Sequence, residues 1–196
     1  MAPFTRITVD TDIVDRLRRG DRAAAEAVYQ LLAEPVQGLA SRILKDRQLA
    51  AEVTQDTFVE VIEKAAHLEH PGALVGWVRT IAVNQCLARL RSPWYRRRDW
   101  LAPADESLTH SHTPRPDEAR DVDQALATLS AQTRFVVWMH DVEGYTHKEI
   151  GEALGKTESF SKSRLARAHV HLLAWYEASE RNGVKGDERS LQNGTA

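Results

Sequence analysis

Apolar residues recur along this chain at the spacing of amphipathic helices, and no stretch of useful length alternates in the manner of a strand. The longest early pattern covers residues 49–66, where four apolar residues fall at i, i+3, i+4 and i+7: Phe58, Val61, Ile62 and Ala65. Acidic and amide residues occupy much of the opposite surface, so we expect the outer face of this helix to be acidic. The pattern as a whole predicts an all-α fold.

Further helical patterns lie on both sides of this segment. Residues 1–11 show none, and we expect them to be poorly ordered or weakly extended. Helices are predicted from residue 12, with Asp21 as the cap of the second. Pro35 then marks either a kink or the first turn of a new helix. After a predicted loop at 67–76, a helix over 77–90 presents these core candidates: Trp77, Val78, Ile81, Ala82, Leu87 and Leu90.

The segment 101–117, LAPADESLTHSHTPRPD, is rich in Pro, Ser, Thr and His and poor in large apolar groups. Such a composition is typical of a flexible linker and a domain boundary. The sequence therefore predicts two small helical modules, at 12–98 and 118–176, joined by a linker at 99–117. A polar tail, expected to be disordered, follows at 177–196.

Residues 145–169 predict two short helices joined by a tight turn. Thr146 and Glu149 have the spacing of a capping box, Gly155 ends the first helix, and Thr157 caps the second. The exposed face of the second helix carries side chains that reach base edges and phosphates: Ser159, Lys162, Ser163, Arg164 and Arg167. The pair is either a DNA-binding helix-turn-helix or an ordinary helical hairpin with a solvated basic face.

Composition and charge limit the classes of protein to which this chain can belong. The 196 residues carry a formal net charge of −2, so any nucleic-acid contact has to come from local basic clusters. The single cysteine, Cys86, excludes disulfides within the chain and zinc sites that need several thiolates. No apolar run approaches the roughly 20 residues that span a bilayer, and the N-terminus lacks a signal-peptide pattern. We therefore expect a cytoplasmic protein without a membrane partner.

One basic cluster follows the helix predicted over 77–90. It contains Arg89, Arg91, Arg96, Arg97 and Arg98, interleaved with Trp94, Tyr95 and Trp100. The arginines are suited to phosphates, whereas the aromatic rings either stack on bases or pack at the edge of the module.

Three segments in order resemble those of the extracytoplasmic-function sigma factors, the smallest sigma-70-type transcription factors. They are VTQDTFVEVIEKA at 53–65, GWVRTIAVNQCLARLR at 76–91 and EGYTHKEIGEALGKTESFSKSRLARA at 143–168. The resemblance extends over roughly residues 21–176, with the linker in the expected place. It implies a region 2 helical bundle that docks on polymerase and melts the −10 element, and a region 4 helix-turn-helix that reads the −35 element.

The resemblance also implies roles for individual residues. For the −10 element, with the 67–76 loop, the residues are Arg79, Asn84, Arg89 and Arg91. For the −35 element, contacts with base edges are assigned to Ser159, Lys162, Ser163 and Arg164. A contact with a phosphate is assigned to Arg167. The polymerase-docking helix contributes Glu52, Gln55, Asp56, Phe58 and Glu60.

Two departures from the family pattern stand out. Leu49 and Ala51 occupy positions where acids are usual, and Thr54 replaces an aliphatic residue. We hypothesise that a Ser/Thr kinase phosphorylates Thr54 and supplies about −1.5 to −2 charges to a weak docking helix, with Thr57 as a weaker site. The alternative is that Thr54 packs and the existing acids suffice. In the recognition helix, we expect Phe160 to fill core space that Ser161 leaves empty.

The leading interpretation is a factor that directs RNA polymerase core, through its β′ clamp helices and β flap, to specific promoter DNA. A Ser/Thr kinase and an anti-sigma factor are candidate regulators. The alternative is a stand-alone helix-turn-helix regulator that binds an operator without polymerase. An enzyme is the least favoured class, because the pairs His110/His112 and His169/His171 lack further ligands at a familiar spacing. We expect no catalytic residue, metal or cofactor.

Overall fold

A computed structural model of the protein describes residues 4, 7–93, 95 and 118–192. Helices are the regular secondary structure of this part of the chain, which contains no strand, and this confirms the predicted all-α fold. The N-terminal module contains α1 (Thr11–Arg18), α2 (Arg22–Leu44), α3 (Arg47–Lys64) and α4 (Leu74–Arg91). The C-terminal module contains α5 (Glu118–Ala127), α6 (Ala131–Val137), α7 (His147–Leu154) and α8 (Glu158–Gln192). Single turns lie at Ala65–His67, Pro71–Ala73 and Trp138–Val142.

Aspartates begin the first three helices of the N-terminal module. Asp10, Asp21 and Asp46 each accept hydrogen bonds from backbone N–H groups of the first turn. The helices then bury apolar stripes against one another, and the fully buried residues of α2 include Val28, Leu32, Val36, Leu39 and Ile43. These stripes place α3 and α4 side by side against α2.

The structure bears on two local predictions for the N-terminal module. Of the two alternatives for Pro35, the start of a new helix is excluded, because α2 runs through it as one helix of 23 residues. The buried residues on both sides of Pro35 hold the helix together despite the missing N–H donor. Residues 1–11 are not wholly unordered, because Phe4 is 3% exposed and belongs to the core.

The C-terminal module buries Leu126, Leu129, Phe135, Met139 and Ile150 beneath α8. The tail that was expected to be disordered is helical from 177 to 192, since α8 continues without a break to Gln192. Extending a helix that is already nucleated costs little per residue, so even a polar, Gly-containing sequence can continue it.

The two modules contact each other through the C-terminal end of α2. Arg134 is 5% exposed, and its Nε and Nη2 both donate to the carbonyl oxygen of Ile43 at 3.2 Å. Its Nη1 donates to the carbonyl of Leu129. Lys45 donates to the carbonyl of Ala127, and Arg42 forms an ion pair with Asp123 at 3.0 Å. Cations thus bind carbonyl groups at helix C-termini, where the partial charge is negative.

The backbone comes close to itself where α7 meets the start of α8. A Cβ atom added to Gly151 would lie 2.8 Å from the carbonyl oxygen of Thr157, which is backbone and cannot rotate away. We expect Gly151→Ala to lower the unfolding free energy by about 1–3 kcal/mol, the usual cost of overpacking, as measured by urea denaturation. The matched variant Gly76→Ala lies in α4 with open space around it, so it should be neutral or stabilise by up to about 1 kcal/mol. Equal stability of both variants would contradict this packing.

Candidate nucleic-acid interface

The helix-turn-helix predicted from the sequence is formed by α7 and α8. Glu149 N donates to Thr146 Oγ1 at 3.3 Å, and Thr146 N donates to the Glu149 carboxylate at 2.8 Å, which completes the capping box. Gly155 ends α7 with a φ of 65°, in the left-handed region that suits glycine. This local chemistry fixes the angle at which the chain enters α8.

The residues on the inward face of α8 show that the prediction for Phe160 and Ser161 was wrong. Ser161 is fully buried, and its hydroxyl lies 3.1 Å from Nδ1 of His147. Phe160 is only half-buried and does not fill the core; the Arg164 guanidinium lies 5.2 Å from its ring centroid and Lys156 Nζ lies 5.9 Å away. Successive helical residues are rotated by about 100°, so Ser161 can face inward only if Phe160 turns aside.

The outward face of α8 presents four of the five predicted −35 residues, and these are exposed: Ser159, Lys162, Ser163 and Arg167. Lys162 forms an ion pair with Glu158 at 2.6 Å, and this contact lowers the pKa of Glu158. Arg164 differs from the others because it is half-buried and donates to Thr133 Oγ1 at 3.4 Å. Arg164 can therefore contact a base only if its side chain gives up the hydrogen bond to Thr133 of α6.

Histidines cluster behind the recognition helix. The rings of His140 and His147 stack with centroids 4.4 Å apart, and Asp141 lies within 2.8 Å of His140 and 2.7 Å of His169. His171 turns away from His169 and contacts Thr128. Within the described residues, no group of His, Cys, Asp and Glu is arranged to hold a metal ion. The other predicted pair, His110 and His112, lies outside the described residues.

A groove of about 570 Å³ opens on the N-terminal module beside the start of α4. Its lining includes His67, Glu69, His70, Trp77, Arg79 and Thr80. This is the 67–76 loop that the family resemblance assigned to a flipped −10 base. Trp77 was predicted to lie in the core; it is partly buried and packs against the core, and it also lines the groove.

The predicted −10 residues point to different neighbours. Asn84 and Arg91 are exposed, although Arg91 donates to the carbonyl of Ala153 in α7. Arg89 forms an ion pair with Asp56 of α3. Arg79 reaches the C-terminal module, where it contacts Glu143. The structure therefore does not gather these four side chains on one surface, and only Arg79 lines the groove.

The basic cluster beyond α4 is largely outside the described residues, including Trp94 and Trp100 and the arginines at 96–98. Tyr95 is described: it is 5% exposed, and its hydroxyl donates to the Leu44 carbonyl at 2.7 Å. Tyr95 thus packs at the edge of the module, and its ring is not available for stacking on a base.

The residues that were predicted to dock on polymerase differ in how exposed they are. Glu52 and Gln55 are exposed, whereas Asp56 and Glu60 are half-buried, with Glu60 bound to Lys64 at 2.7 Å and Gln85 at 3.1 Å. Phe58 is 5% exposed and packs edge-on against Tyr29, with centroids 4.8 Å apart, so it is a core residue.

Sequence reasoning missed the apolar part of the α3 surface. Val59 and Ile62 are 47% and 56% exposed, and Tyr29 of α2 is 44% exposed. Ile62 had been placed on one apolar stripe with Phe58, Val61 and Ala65. The signal was present, because Val59 and Ile62 are three residues apart and form a second apolar stripe beside the buried one.

The candidate phosphorylation sites are buried. Thr54 is 6% exposed, and its hydroxyl donates to the Ala50 carbonyl at 2.8 Å. Thr57 is fully buried, and its hydroxyl donates to the Val53 carbonyl at 2.7 Å. In this conformation neither hydroxyl is accessible to a kinase.

The surroundings of His147 predict that the stability of the C-terminal module depends on pH. Burial, followed by the neighbouring His140, lowers the pKa of His147, so the folded state favours the neutral ring. Below the ordinary histidine pKa of about 6.5, the unfolded chain binds this proton more readily and stability falls. We expect the Tm of the wild type to drop more between pH 7.5 and 5.5 than that of His147→Gln.

The comparison isolates His147, because the contacts of His140 and His169 with Asp141 are present in both proteins. A second variant, His70→Gln, removes an exposed histidine from the other module and should behave as the wild type. If wild type and His147→Gln lose equal Tm on acidification, His147 does not carry this sensitivity.

None of the helices in the described part of the chain is long and apolar enough to cross a membrane. Comparison with known families matches residues 28–96 to Sigma-70 region 2 and residues 119–172 to Sigma-70, region 4. The matches fall on the N-terminal and C-terminal modules respectively.

The chain is similar to several curated proteins. It is 29% identical to the ECF RNA polymerase sigma factor SigE of Mycolicibacterium smegmatis, covering 78% of this chain and 63% of that longer protein. It is also 29% identical to the RNA polymerase sigma factor CarQ of Myxococcus xanthus, covering 81% and 92% of the two chains.

Among solved structures, the fold is similar to the sigma factor RpoE of Bartonella quintana, which was solved in complex with the anti-sigma factor NepR. The TM-score is 0.52 at 21% identity, covering 78% of this chain and 96% of that one. Regions 2 and 4 in this order place the chain in the sigma-70 family, and its relatives support an extracytoplasmic-function sigma factor.

Proposed function

We propose that this protein recruits RNA polymerase core to specific promoters and initiates transcription by reading −35 DNA with α8 and opening −10 DNA beside α4. The observation that carries the proposal is the exposed polar face of α8, presented by a capped helix-turn-helix in a chain that also holds a region 2 module. A factor with this role acts in the cytoplasm and needs no catalytic residue or cofactor.

At the −35 element, α8 is suited to the major groove. Residues near the N-terminus of a recognition helix contact base edges, and Ser159, Lys162 and Ser163 occupy this part of α8. Arg167 lies one turn further on, where a guanidinium reaches a phosphate. Lys162 must exchange its contact with Glu158 for one with DNA, and this exchange favours sequences that offer a strong acceptor.

At the −10 element, the groove beside α4 is suited to an unpaired base. Bases that leave the stack are held by aromatic and apolar side chains and by hydrogen bonds to their exposed edges. Trp77 offers an aromatic edge, while His67, His70 and Thr80 offer polar groups. Arg79 lines the same groove, and the exposed Asn84, further along α4 and outside the groove, is proposed to contact the DNA strand beyond it.

For polymerase, we propose docking through the exposed face of α3. The acidic Glu52 and the amide Gln55 lie near the apolar side chains Val59 and Ile62. Protein interfaces commonly combine an apolar centre with a polar rim, and this face has both. Phe58 supports the face from within and does not contact a partner directly. Polymerase β flap and an anti-sigma factor remain proposed partners, the latter by analogy with the complex of RpoE and NepR.

The proposal is tested by run-off transcription with purified core polymerase and a genomic promoter library. A sigma factor gives promoter-specific transcripts only when protein and core are mixed. A stand-alone helix-turn-helix regulator instead binds its operator tightly without core and yields no transcript. This second result would refute the proposal.

Removal of one phosphate contact gives a sharper measurement. We expect Arg167→Ala holoenzyme to bind its promoter more weakly at all −35 sequences, with the slope of log K against log salt reduced by about 0.9. The matched variant Arg22→Ala removes one exposed arginine from α2 and should bind as the wild type does. Equal salt slopes for the two variants would show that Arg167 does not touch DNA.

Phosphorylation of Thr54 is a further part of the proposal. The burial of Thr54 favours the alternative, in which its side chain packs in the core and the existing acids suffice for docking. A phosphate carries about −1.5 to −2 charges and requires solvent, so α3 would have to open around Thr54 to accept it. We expect Thr54→Val, which keeps the shape and removes the hydroxyl, to retain most promoter activity in cells. Loss of activity that Thr54→Glu restores, with both variants folded by circular dichroism, would instead establish control by a kinase.

A further inference from the structure

Phe160 lies in the first turn of α8 and is not part of the apolar core formed by the described residues. Its backbone N–H donates to Thr157 Oγ1 at 3.2 Å, so the cap of the helix fixes the direction in which its side chain leaves the backbone. The neighbouring Ser161 is fully buried. Because successive helical residues are rotated by about 100°, Phe160 is turned to the flank of α8, where it is half-buried.

This flank of α8 adjoins the face that we propose to approach DNA. Arg167, the proposed phosphate contact, follows Phe160 by seven residues. Seven residues are about two helical turns, so the two side chains leave the helix in nearly the same direction. Phe160 also lies near the N-terminal end of α8, the part of a recognition helix that contacts base edges. An aromatic ring is therefore placed where the helix would meet the base pairs.

Two cations lie beside this ring. The Nζ atom of Lys156 is 5.9 Å from the ring centroid, and the guanidinium carbon of Arg164 is 5.2 Å from it. A cation within about 6 Å of an aromatic centroid is attracted to the ring. Arg164 also donates to Thr133 Oγ1 at 3.4 Å, which connects the ring and its cations to the body of the module. These contacts limit the movement of the ring away from its place on α8.

We propose that Phe160 determines specificity at the −35 element by packing its ring against the C5 methyl group of a thymine in the major groove. The inference rests on the proposed function, because it takes α8 as the helix that reads the −35 element. The thymine methyl is the only methyl group that unmodified base pairs present in the major groove, and phenylalanine is one of the side chains that contact it.

The ring of Phe160 favours thymine for a physical reason. In the major groove, adenine, guanine and cytosine present only hydrogen-bonding groups, and cytosine presents an amino donor close to the position of the thymine methyl. A phenyl ring can cover a methyl group at no polar cost, whereas covering an amino group leaves a donor without a partner. The exposed serines and lysine proposed for this element cannot make the same distinction by apolar contact, so Phe160 adds information to theirs: Ser159, Lys162 and Ser163.

The experiment uses holoenzyme formed from the full-length protein and core polymerase, with a synthetic duplex of a promoter that the run-off assay identifies. Each thymine of the −35 element is replaced in turn by deoxyuridine, which lacks only the C5 methyl group. The affinity of every duplex for wild-type and Phe160→Ala holoenzyme is measured by competition with a fluorescent promoter.

We expect one thymine whose replacement by deoxyuridine weakens wild-type binding about fourfold, the effect of leaving one methyl group in water. Phe160→Ala should bind the thymine duplex more weakly than the wild type does, and it should bind the thymine and deoxyuridine duplexes equally. The wild type should also bind 5-methylcytosine at this position more tightly than cytosine, because 5-methylcytosine carries the same methyl group.

Two further variants serve as controls. Phe160→Leu keeps an apolar side chain and should retain part of the methyl effect. Tyr176→Ala removes an exposed aromatic ring from α8 beyond the recognition residues, and it should show the full effect. If circular dichroism shows that Phe160→Ala does not fold, Phe160→Gln, whose side chain is long and polar, replaces it.

A methyl effect that is as large in Phe160→Ala as in the wild type would overturn the proposal, because a ring that only positions Arg164 changes both affinities equally. A −35 element in which no thymine shows the effect in the wild type would overturn it as well. Both outcomes leave the sigma function standing, since the wild-type holoenzyme still binds and transcribes the promoter. Absence of promoter-specific transcripts from the wild type refutes the sigma function itself.

Discussion

The guanidinium of Arg134 satisfies the ends of two helices that belong to different modules. It donates to Ile43 at the end of α2 and to Leu129 just beyond α5, while it is almost completely removed from solvent. A buried cation of this kind is tolerated only when its donors find acceptors, and helix C-termini supply carbonyl groups with no partner within their own helix. The relative position of the modules depends on this arrangement. When the modules separate, water can replace each partner, so the contact is specific without being permanent.

The cations that we propose to contact DNA are also paired with acceptors inside the protein. Lys162 lies against Glu158, Arg89 against Asp56, and Arg79 against Glu143. A protein with a net charge of −2 thus keeps several of the cations that we propose to contact DNA paired with its own acids. DNA bound as proposed exchanges an internal carboxylate for a phosphate at each such position. Such an exchange lowers affinity for arbitrary DNA and leaves selection of a site to the combined contacts of both modules.

Local chemistry explains what could be predicted from the sequence. The capping box at Thr146 and the end of α7 at Gly155 depend on residues a few positions apart, and both are present as predicted. The side of a helix that faces inward was harder to predict. Two adjacent apolar stripes on α3 satisfy the same periodicity, so Phe58 and Ile62 were placed on one stripe, whereas Phe58 is buried and Ile62 is exposed. The family resemblance also placed Phe58 at the polymerase surface, which its burial contradicts. The partner of Arg79 lies 64 positions away, and no local pattern encodes it.

The length of α8 has a mechanical consequence. Its 35 residues form one continuous helix of about 52 Å, with the recognition residues near one end. Ser161 and Leu165 fix that end to the module, while Val170, Leu173 and Tyr176 are exposed further along. The described contacts that hold α8 to the module therefore lie between residues 161 and 172, among and just beyond the residues that we propose read DNA. A tilt of about 5° about these contacts displaces the far end by roughly 4 Å while moving the proposed recognition residues only slightly.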